Sequence, residues 1–279
     1  MLSSGGFREI QLCVLCSISS RGEGYFVRII LVPGFEKAEI FAELATSLES
    51  HNQSAQVIEL SKLAQPTIEG AELVEELIIK LEAANPANES CAFVCSSLGL
   101  SLALVALSRE RLRGLNYATR ILFSVNGALS HVDPLMGVFA ENLERFSDFK
   151  RYLGEGAVSQ ILAQSREQTR RFFIESFASN ASAGNPFALP FPPAFRVQLV
   201  ELIGAGRLAV KNLSSSTELY CFDSERDEQV GVASEQFRIL HREPTGAVTF
   251  PGVGHGLLAG KYRREVVAGI LERLLRFEG

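Results

Sequence analysis

The sequence predicts an α/β protein: a mostly parallel sheet with helices on both faces, interrupted by a helical insertion. Three observations predict it. Short runs that are apolar almost throughout alternate with amphipathic helical patterns, and strands with that composition belong to a sheet covered on both faces. From His131 to about Leu213 the alternation stops, and helical patterns follow one another with no strand between them. In Cys91-Ala92-Phe93-Val94-Cys95-Ser96-Ser97-Leu98-Gly99-Leu100 an apolar strand runs into an apolar helix with almost no loop.

The elements follow in order. A β-hairpin is expected over Arg8 to Ser19, with a turn at Arg21-Gly22-Glu23-Gly24. Val27 to Val32 is the first strongly buried strand and ends at Pro33-Gly34-Phe35. A helix over Ala38 to Leu48 carries Ile40, Phe41, Leu44 and Leu48 at helical spacing, and a short strand is expected at Gln56 to Leu60. The helix Ala71 to Ala83 places Leu73, Val74, Leu77, Ile78 and Leu81 on one side and glutamates on the other, and Asn85-Pro86-Ala87-Asn88 breaks it. After the strand at Cys91 to Cys95 come a helix to Leu107 and a strand at Ile121 to Val125.

The insertion shows one helical pattern with Phe139, Leu143, Phe146, Phe149 and Leu153, ending at Gly154 and Gly156. A second has Val158, Ile161, Leu162, Thr169, Phe172, Phe173 and Phe177, with Arg166, Arg170 and Arg171 facing away. A loop rich in proline and phenylalanine, Asn185 to Phe195, leads to a helix near Val197 to Ile203. Alternation then resumes with a strand at Glu218 to Phe222, a helix near Ala233 to Leu240, a strand at Ala247 to Phe250 and a last helix, Glu265 to Phe277. The division expected from this is a core of residues 1–130 and 214–279 with a helical cap of 131–213.

Composition narrows the function. With 279 residues, 47% of them hydrophobic and 21% charged, the chain can bury a full core and does not read as disordered. A net charge of −5 does not recommend nucleic acid as a partner. No apolar run approaches the roughly 20 residues that span a bilayer. Ile10, Leu12, Val14, Cys16 and Ile18 alternate as a strand does, which argues against a signal peptide. Five cysteines, an odd number, point to a reducing compartment, and the expected location is the cytoplasm. Cys13 and Cys16 would fall on opposite faces of a strand, and Cys91 and Cys95 on one face roughly 13 Å apart, too far for a disulfide.

Chemistry concentrates at the strand-to-helix corner. A residue at such a corner is forced into a strained backbone conformation, and its neighbours two positions away must be small. Around Ser97 these are Cys95 and Gly99; around Ser96 they would be Val94 and Leu98, so sterics select Ser97. Serine is also a frequent helix N-cap, so the corner alone is a weak signal. A nucleophilic serine needs a histidine to take its proton and a carboxylate to hold that histidine. Of the four histidines, His51 follows a helix in a polar connection, His131 opens the insertion and His241 ends a helix. His255 lies in Phe250-Pro251-Gly252-Val253-Gly254-His255-Gly256, a glycine-rich loop past the last strand. The preceding strand opens into Asp223-Ser224-Glu225-Arg226-Asp227, which supplies acids at the same sheet edge, where open α/β sheets collect ligands.

With the small-x-Ser-x-Gly corner and the order serine, acid, histidine, the chain resembles the α/β-hydrolase family over most of its length, the insertion corresponding to that family's variable cap. The resemblance implies Ser97 as nucleophile, His255 as general base and then acid, and Asp227 as the orienting carboxylate. Asp227 is preferred to Asp223 because the family often has Asp-x-x-Val here, as in Asp227 to Val230; Asp133 ranks third. It also implies an oxyanion hole from the N–H groups of Leu98 and Phe35. The sequence departs from the family pattern at Cys95 and Leu100, where glycine is common, and at Pro33, where many members have histidine. A glycine-rich segment after the next strand is replaced by Glu59-Leu60-Ser61-Lys62-Leu63.

A cap carrying Phe139, Phe146, Phe172, Phe187 and Phe191 suits an apolar acyl chain, although such rings serve packing as readily. Arg166, Arg170 and Arg171 form either a solvated face or a dock for an acidic acyl carrier protein. In that respect the chain is similar to capped esterases that cleave pimeloyl-carrier-protein methyl ester in biotin synthesis. The expected activity is a serine hydrolase acting on an ester or thioester, with no metal and no cofactor. The alternative is a hydrolase-fold protein that binds a ligand without turnover.

Overall fold

In the computed structural model, residues 27–35, 38–60, 69–164, 196–227 and 229–276 are described. The expected N-terminal hairpin, Cys13 and Cys16, the loop 61–63, the segment 165–195 and Phe277, the last residue of the expected C-terminal helix, lie outside these residues.

Among the described residues the centre is a 6-stranded sheet built from β1 (Arg28–Val32), β2 (Ala55–Val57), β3 (Cys91–Ser96), β4 (Thr119–Val125), β5 (Glu218–Ser224) and β6 (Gly246–Phe250). Their order across the sheet is β2-β1-β3-β4-β5-β6, and every neighbouring pair is parallel. Parallel neighbours require crossovers, and these are helices: α1 (Ala42–Ser50), α2 (Gly70–Ala84), α3 (Leu98–Leu107) with the short α4 (Arg113–Ala118), and α9 (Ala233–Ile239). This is the architecture of an α/β-hydrolase, with a helical region inserted between β4 and β5.

The period of two in the strands divides the core in two. Ile30, Val32, Phe93, Cys95, Leu122 and Cys221 join the layer under α2, α3 and α9. Ile29, Leu31, Val94, Phe123 and Phe222 face α1 and the C-terminal helix α10 (Arg263–Arg276). Strand β3, which pairs with β1 on one side and β4 on the other, is buried at every position, so its apolar run from Cys91 to Cys95 follows from burial on both faces. Helix α2 buries Leu73, Val74, Leu77, Ile78 and Leu81 as predicted. Each such side chain contributes about 1.5–3 kcal/mol when taken from water.

The inserted region comprises α5 (Pro134–Glu141), α6 (Leu143–Leu153), α7 (Glu155–Gln164) and α8 (Arg196–Ala209). The single helix expected over Phe139 to Leu153 is two helices, because Asn142 leaves the helical region at φ −123°, ψ 54° and turns its side-chain amide onto the Val138 carbonyl, 2.9 Å away. Gly154 ends α6 at φ 80°, as its position suggested. Helix α8 packs closely on α3: a Cβ on Gly206 would lie 2.6 Å from Ser101 Oγ.

Strand β4 begins at Thr119, earlier than expected, and β5 continues to Ser224. Strand β2 lies at Ala55–Val57, shorter and earlier than the run Gln56 to Leu60. Cys91, Cys95 and Cys221 are buried free thiols, and burial raises all three above the usual thiol value, Cys91 to about 11. No helix among the described residues is long and apolar enough to cross a membrane.

Candidate active site

The sheet's carboxyl edge gathers the site. At the end of β3 the chain reverses through Ser97, a non-glycine residue at φ 51°, ψ −128°. Such a conformation costs about 1–3 kcal/mol and persists only where the surroundings impose it. Here they do. The Ser97 N–H donates to the Val125 carbonyl at 3.1 Å, and the Ser97 carbonyl accepts from Leu100 N–H at 3.2 Å and Ala128 N–H at 2.9 Å. The small residues demanded by the corner have identifiable neighbours. A Cβ on Gly99 would collide with the Val32 carbonyl oxygen and stand 2.7 Å from that of Pro33, so the first turn of α3 lies against the end of β1. Cys95 faces Val32 and Ser124 in register and is accommodated without a break in the strand pairing. Leu100 is fully buried, and the space it needs comes from Gly127, where a Cβ would collide with its side chain.

Ser97 stands at the N-cap position of α3, yet its side chain makes no capping hydrogen bond. Its Oγ lies 2.9 Å from His255 Nε2 instead. His255 Nδ1 is 2.7 Å from Asp227 Oδ2, and both side chains of that pair are only 3% exposed. The other carboxylate oxygen, Asp227 Oδ1, accepts from the N–H groups of Gln229 at 2.9 Å and Val230 at 3.0 Å. A carboxylate only accepts, so the network assigns the proton to Nδ1 and leaves Nε2 to accept from the serine hydroxyl. This is a Ser-His-Asp arrangement of the serine-hydrolase type.

The competing acids are engaged elsewhere. Asp223 accepts from Ala233 N–H at 3.1 Å and Ser234 N–H at 3.2 Å, capping α9, and burial holds its carboxyl above the usual range despite those bonds. Asp133 caps α5 through Leu135 N–H at 3.0 Å and Met136 N–H at 3.2 Å. Leu98 is the first residue of α3, a position whose N–H has no partner within the helix. The segment Pro33 to Phe35 runs beside that turn, because Gly99 touches Val32 and Pro33.

Phe146 is wholly enclosed in the core, and Phe139, partly buried, packs on it with ring centroids 4.9 Å apart and on Phe149 at 5.3 Å. Phe172, Phe187, Phe191, Arg166, Arg170 and Arg171 lie outside the described residues. Among the described residues no group of three His, Cys, Asp or Glu side chains is placed to hold a metal ion.

The structure adds His131, which sequence reasoning set aside. Its Nδ1 accepts from Asp133 N–H at 3.0 Å, so the neutral ring carries its proton on Nε2. Burial pulls its pKa down to about 4, and it is near enough to Asp133, Arg196, Asp227 and His255 to feel their charges. Its loop is tied to the acid loop: Val132 N–H donates to the Gln229 carbonyl at 3.2 Å and Gly231 N–H to Ser130 Oγ at 3.1 Å. Nothing in the spacing of the sequence signals that meeting.

No protein-family model and no curated protein matches this chain. Solved structures do resemble it. A structure described with LipS and LipT, two metagenome-derived lipolytic enzymes, superposes with a TM-score of 0.60 at 10% identity, covering 91% of this chain and 95% of that one. A soluble variant of monoglyceride lipase from Saccharomyces cerevisiae, in complex with a substrate analog, gives 0.61 at 10% identity, covering 92% and 89%. A thermophilic esterase from Thermogutta terrifontis gives 0.54 at 15% identity over 92% of each chain. At such identities the likeness speaks to the fold, and it is the α/β-hydrolase fold.

Proposed function

We propose that this chain hydrolyses a carboxylic ester or thioester with an apolar acyl group through an acyl-enzyme on Ser97. The observation that carries the reading is a serine at a strained corner whose hydroxyl, instead of capping its helix, meets an imidazole held by a buried carboxylate.

The chemistry follows from that geometry. Ser97 Oγ attacks the carbonyl carbon as His255 Nε2 takes the hydroxyl proton, and Asp227 stabilises the resulting imidazolium through Nδ1–H. Charge then develops on the former carbonyl oxygen. The N–H groups of Leu98 and Phe35, one opening α3 and the other following the end of β1, are the proposed donors to it. Collapse expels the alcohol or thiol, which takes the proton from His255. A water molecule then gives its proton to His255 and its oxygen to the acyl carbon, releasing the acid and restoring Ser97. No step calls on a metal or a cofactor.

The apolar acyl preference rests on the phenylalanines of the proposed cap, residues 131–213, of which Phe139 keeps some surface beside the enclosed Phe146. A carrier-bound pimeloyl methyl ester, met in the cytoplasm, is a narrower version of the same proposal and rests on Arg166, Arg170 and Arg171 in the sequence alone. A fluorophosphonate tests the core of the reading: it should label the wild-type protein and not Ser97→Ala. Equal labelling of the two would overturn it, and intact ligand recovered from the protein with Ser97 unlabelled would favour binding without turnover. A chain-length series of p-nitrophenyl esters tests the acyl preference, which a flat profile would remove.

A further inference from the structure

We propose that Glu225 is a positioning residue that holds the histidine-bearing loop in register with the acid-bearing loop; the inference rests on the triad reading of Ser97, His255 and Asp227. His255 hangs on a loop whose Val253, Leu257 and Leu258 are buried in the core while its tip, Pro251-Gly252, is exposed. Gly252 and Gly256 in that loop have φ of 64° and 93°, and a Cβ on Gly252 would have no neighbour within 4 Å. A glycine at an exposed tip, free to adopt either sign of φ, has many competing conformations. The 2.7 Å contact between His255 Nδ1 and Asp227 Oδ2 nevertheless requires one of them.

What selects it is the segment just before Asp227. Glu225 N–H donates to the Phe250 carbonyl at 3.0 Å, and Arg226 N–H donates to the Val253 carbonyl at 3.1 Å. Glu225 Oε2 accepts from Gly252 N–H at 2.8 Å, which closes the pairing on the residue between those two. The two loops are thereby joined at three points before the chain reaches Asp227 on one side and His255 on the other. The side-chain bond is charge-assisted and therefore stronger than a neutral one, and it acts on the glycine with the greatest freedom. Glu225 is exposed and lies outside both core clusters, so removing its carboxylate leaves the packing intact.

The test compares Glu225→Ala with Glu225→Gln in the full chain, reading the rate of fluorophosphonate labelling and kcat and KM for a short p-nitrophenyl ester. Glu225→Ala is expected to lower the labelling rate and kcat about tenfold with KM changed less than about twofold. Glu225→Gln, whose amide oxygen still accepts from Gly252 N–H, should recover most of that loss. Wild-type rates in Glu225→Ala, a rise in KM without a fall in kcat, or a glutamine variant as impaired as the alanine variant would each overturn the inference. Labelling that persists in Ser97→Ala would instead overturn the triad reading, and this inference with it.

Discussion

Gly99 sits against the carbonyl oxygen of Val32, with no room for a β-carbon between them. The corner that holds Ser97 at φ 51° therefore depends on a glycine two positions downstream, because the first turn of α3 cannot otherwise reach the end of β1. Gly99→Ala should destabilise the protein by about 1–3 kcal/mol, the usual cost of overpacking against backbone that cannot move aside. Urea denaturation would show this as a lower midpoint. Ser97 labelling should fall more than the loss of folded protein explains, since the turn itself is displaced.

Asp227→Asn should leave the fold intact and remove activity. The asparagine oxygen can still accept from Gln229 and Val230, but its amide would then donate to His255 Nδ1. That forces the ring proton onto Nε2, facing Ser97 with a donor where an acceptor is needed. A fall in kcat of about 10⁴-fold with an unchanged melting temperature is expected.

Asp223→Ala should behave in the opposite way. Its carboxylate caps α9 within the core, so the loss is one of stability, about 1–2 kcal/mol, with labelling of Ser97 retained in the folded fraction. Comparing urea midpoints and labelling stoichiometry in the two aspartate variants separates a cap from a triad member.

His131 makes stability depend on pH in a definite sense. Its folded pKa of about 4 lies below the 6.5 of an unperturbed histidine, so the unfolded chain takes up a proton first as the pH falls. The stability that depends on keeping this ring neutral is fully present above about pH 6.5 and is lost between there and about pH 4. The loss amounts to up to about 3 kcal/mol, an upper figure because His131 as a residue is only partly buried. Burial of Asp223, whose carboxyl is raised, acts with the opposite sign, so the measurement is a difference. Between pH 7 and pH 4.5 the urea midpoint should fall more for wild type than for His131→Gln.

Much of this was legible in the chain because local rules and the fold agree. The apolar run of β3, Cys91 to Cys95, could only be buried on both faces, and the periodicity of α2 could only present one. Ser97 was selected over Ser96 by the size of residues two positions away, and Gly99 against Val32 is the contact that makes that size matter. Where local rules compete, spacing along the chain no longer decides the outcome. Asn142 splits a helix whose phenylalanine spacing is continuous: its backbone leaves the helical region, and its side chain joins its own N–H on the Val138 carbonyl.

Residue pattern and spacing were enough for the α/β class, the strand-to-helix corner and the order in which serine, acid and histidine reach one edge of the sheet. Asp133 stands before Pro134, a turn signal, but Asp227 and Asp223 could be ordered only by family pattern, since both follow the same strand end. Tertiary structure separated them. Asp223 spends both oxygens on the N–H groups that open α9, Asp133 turns Oδ1 to the N–H groups that open α5, and it is Asp227 whose second oxygen reaches His255. Those partners are set by how loops from different strands come together, which is a property of three-dimensional packing and not of spacing along the chain. The same holds for Glu225 and Gly252, two exposed positions in different loops whose hydrogen bond exists only after β5 and β6 have paired.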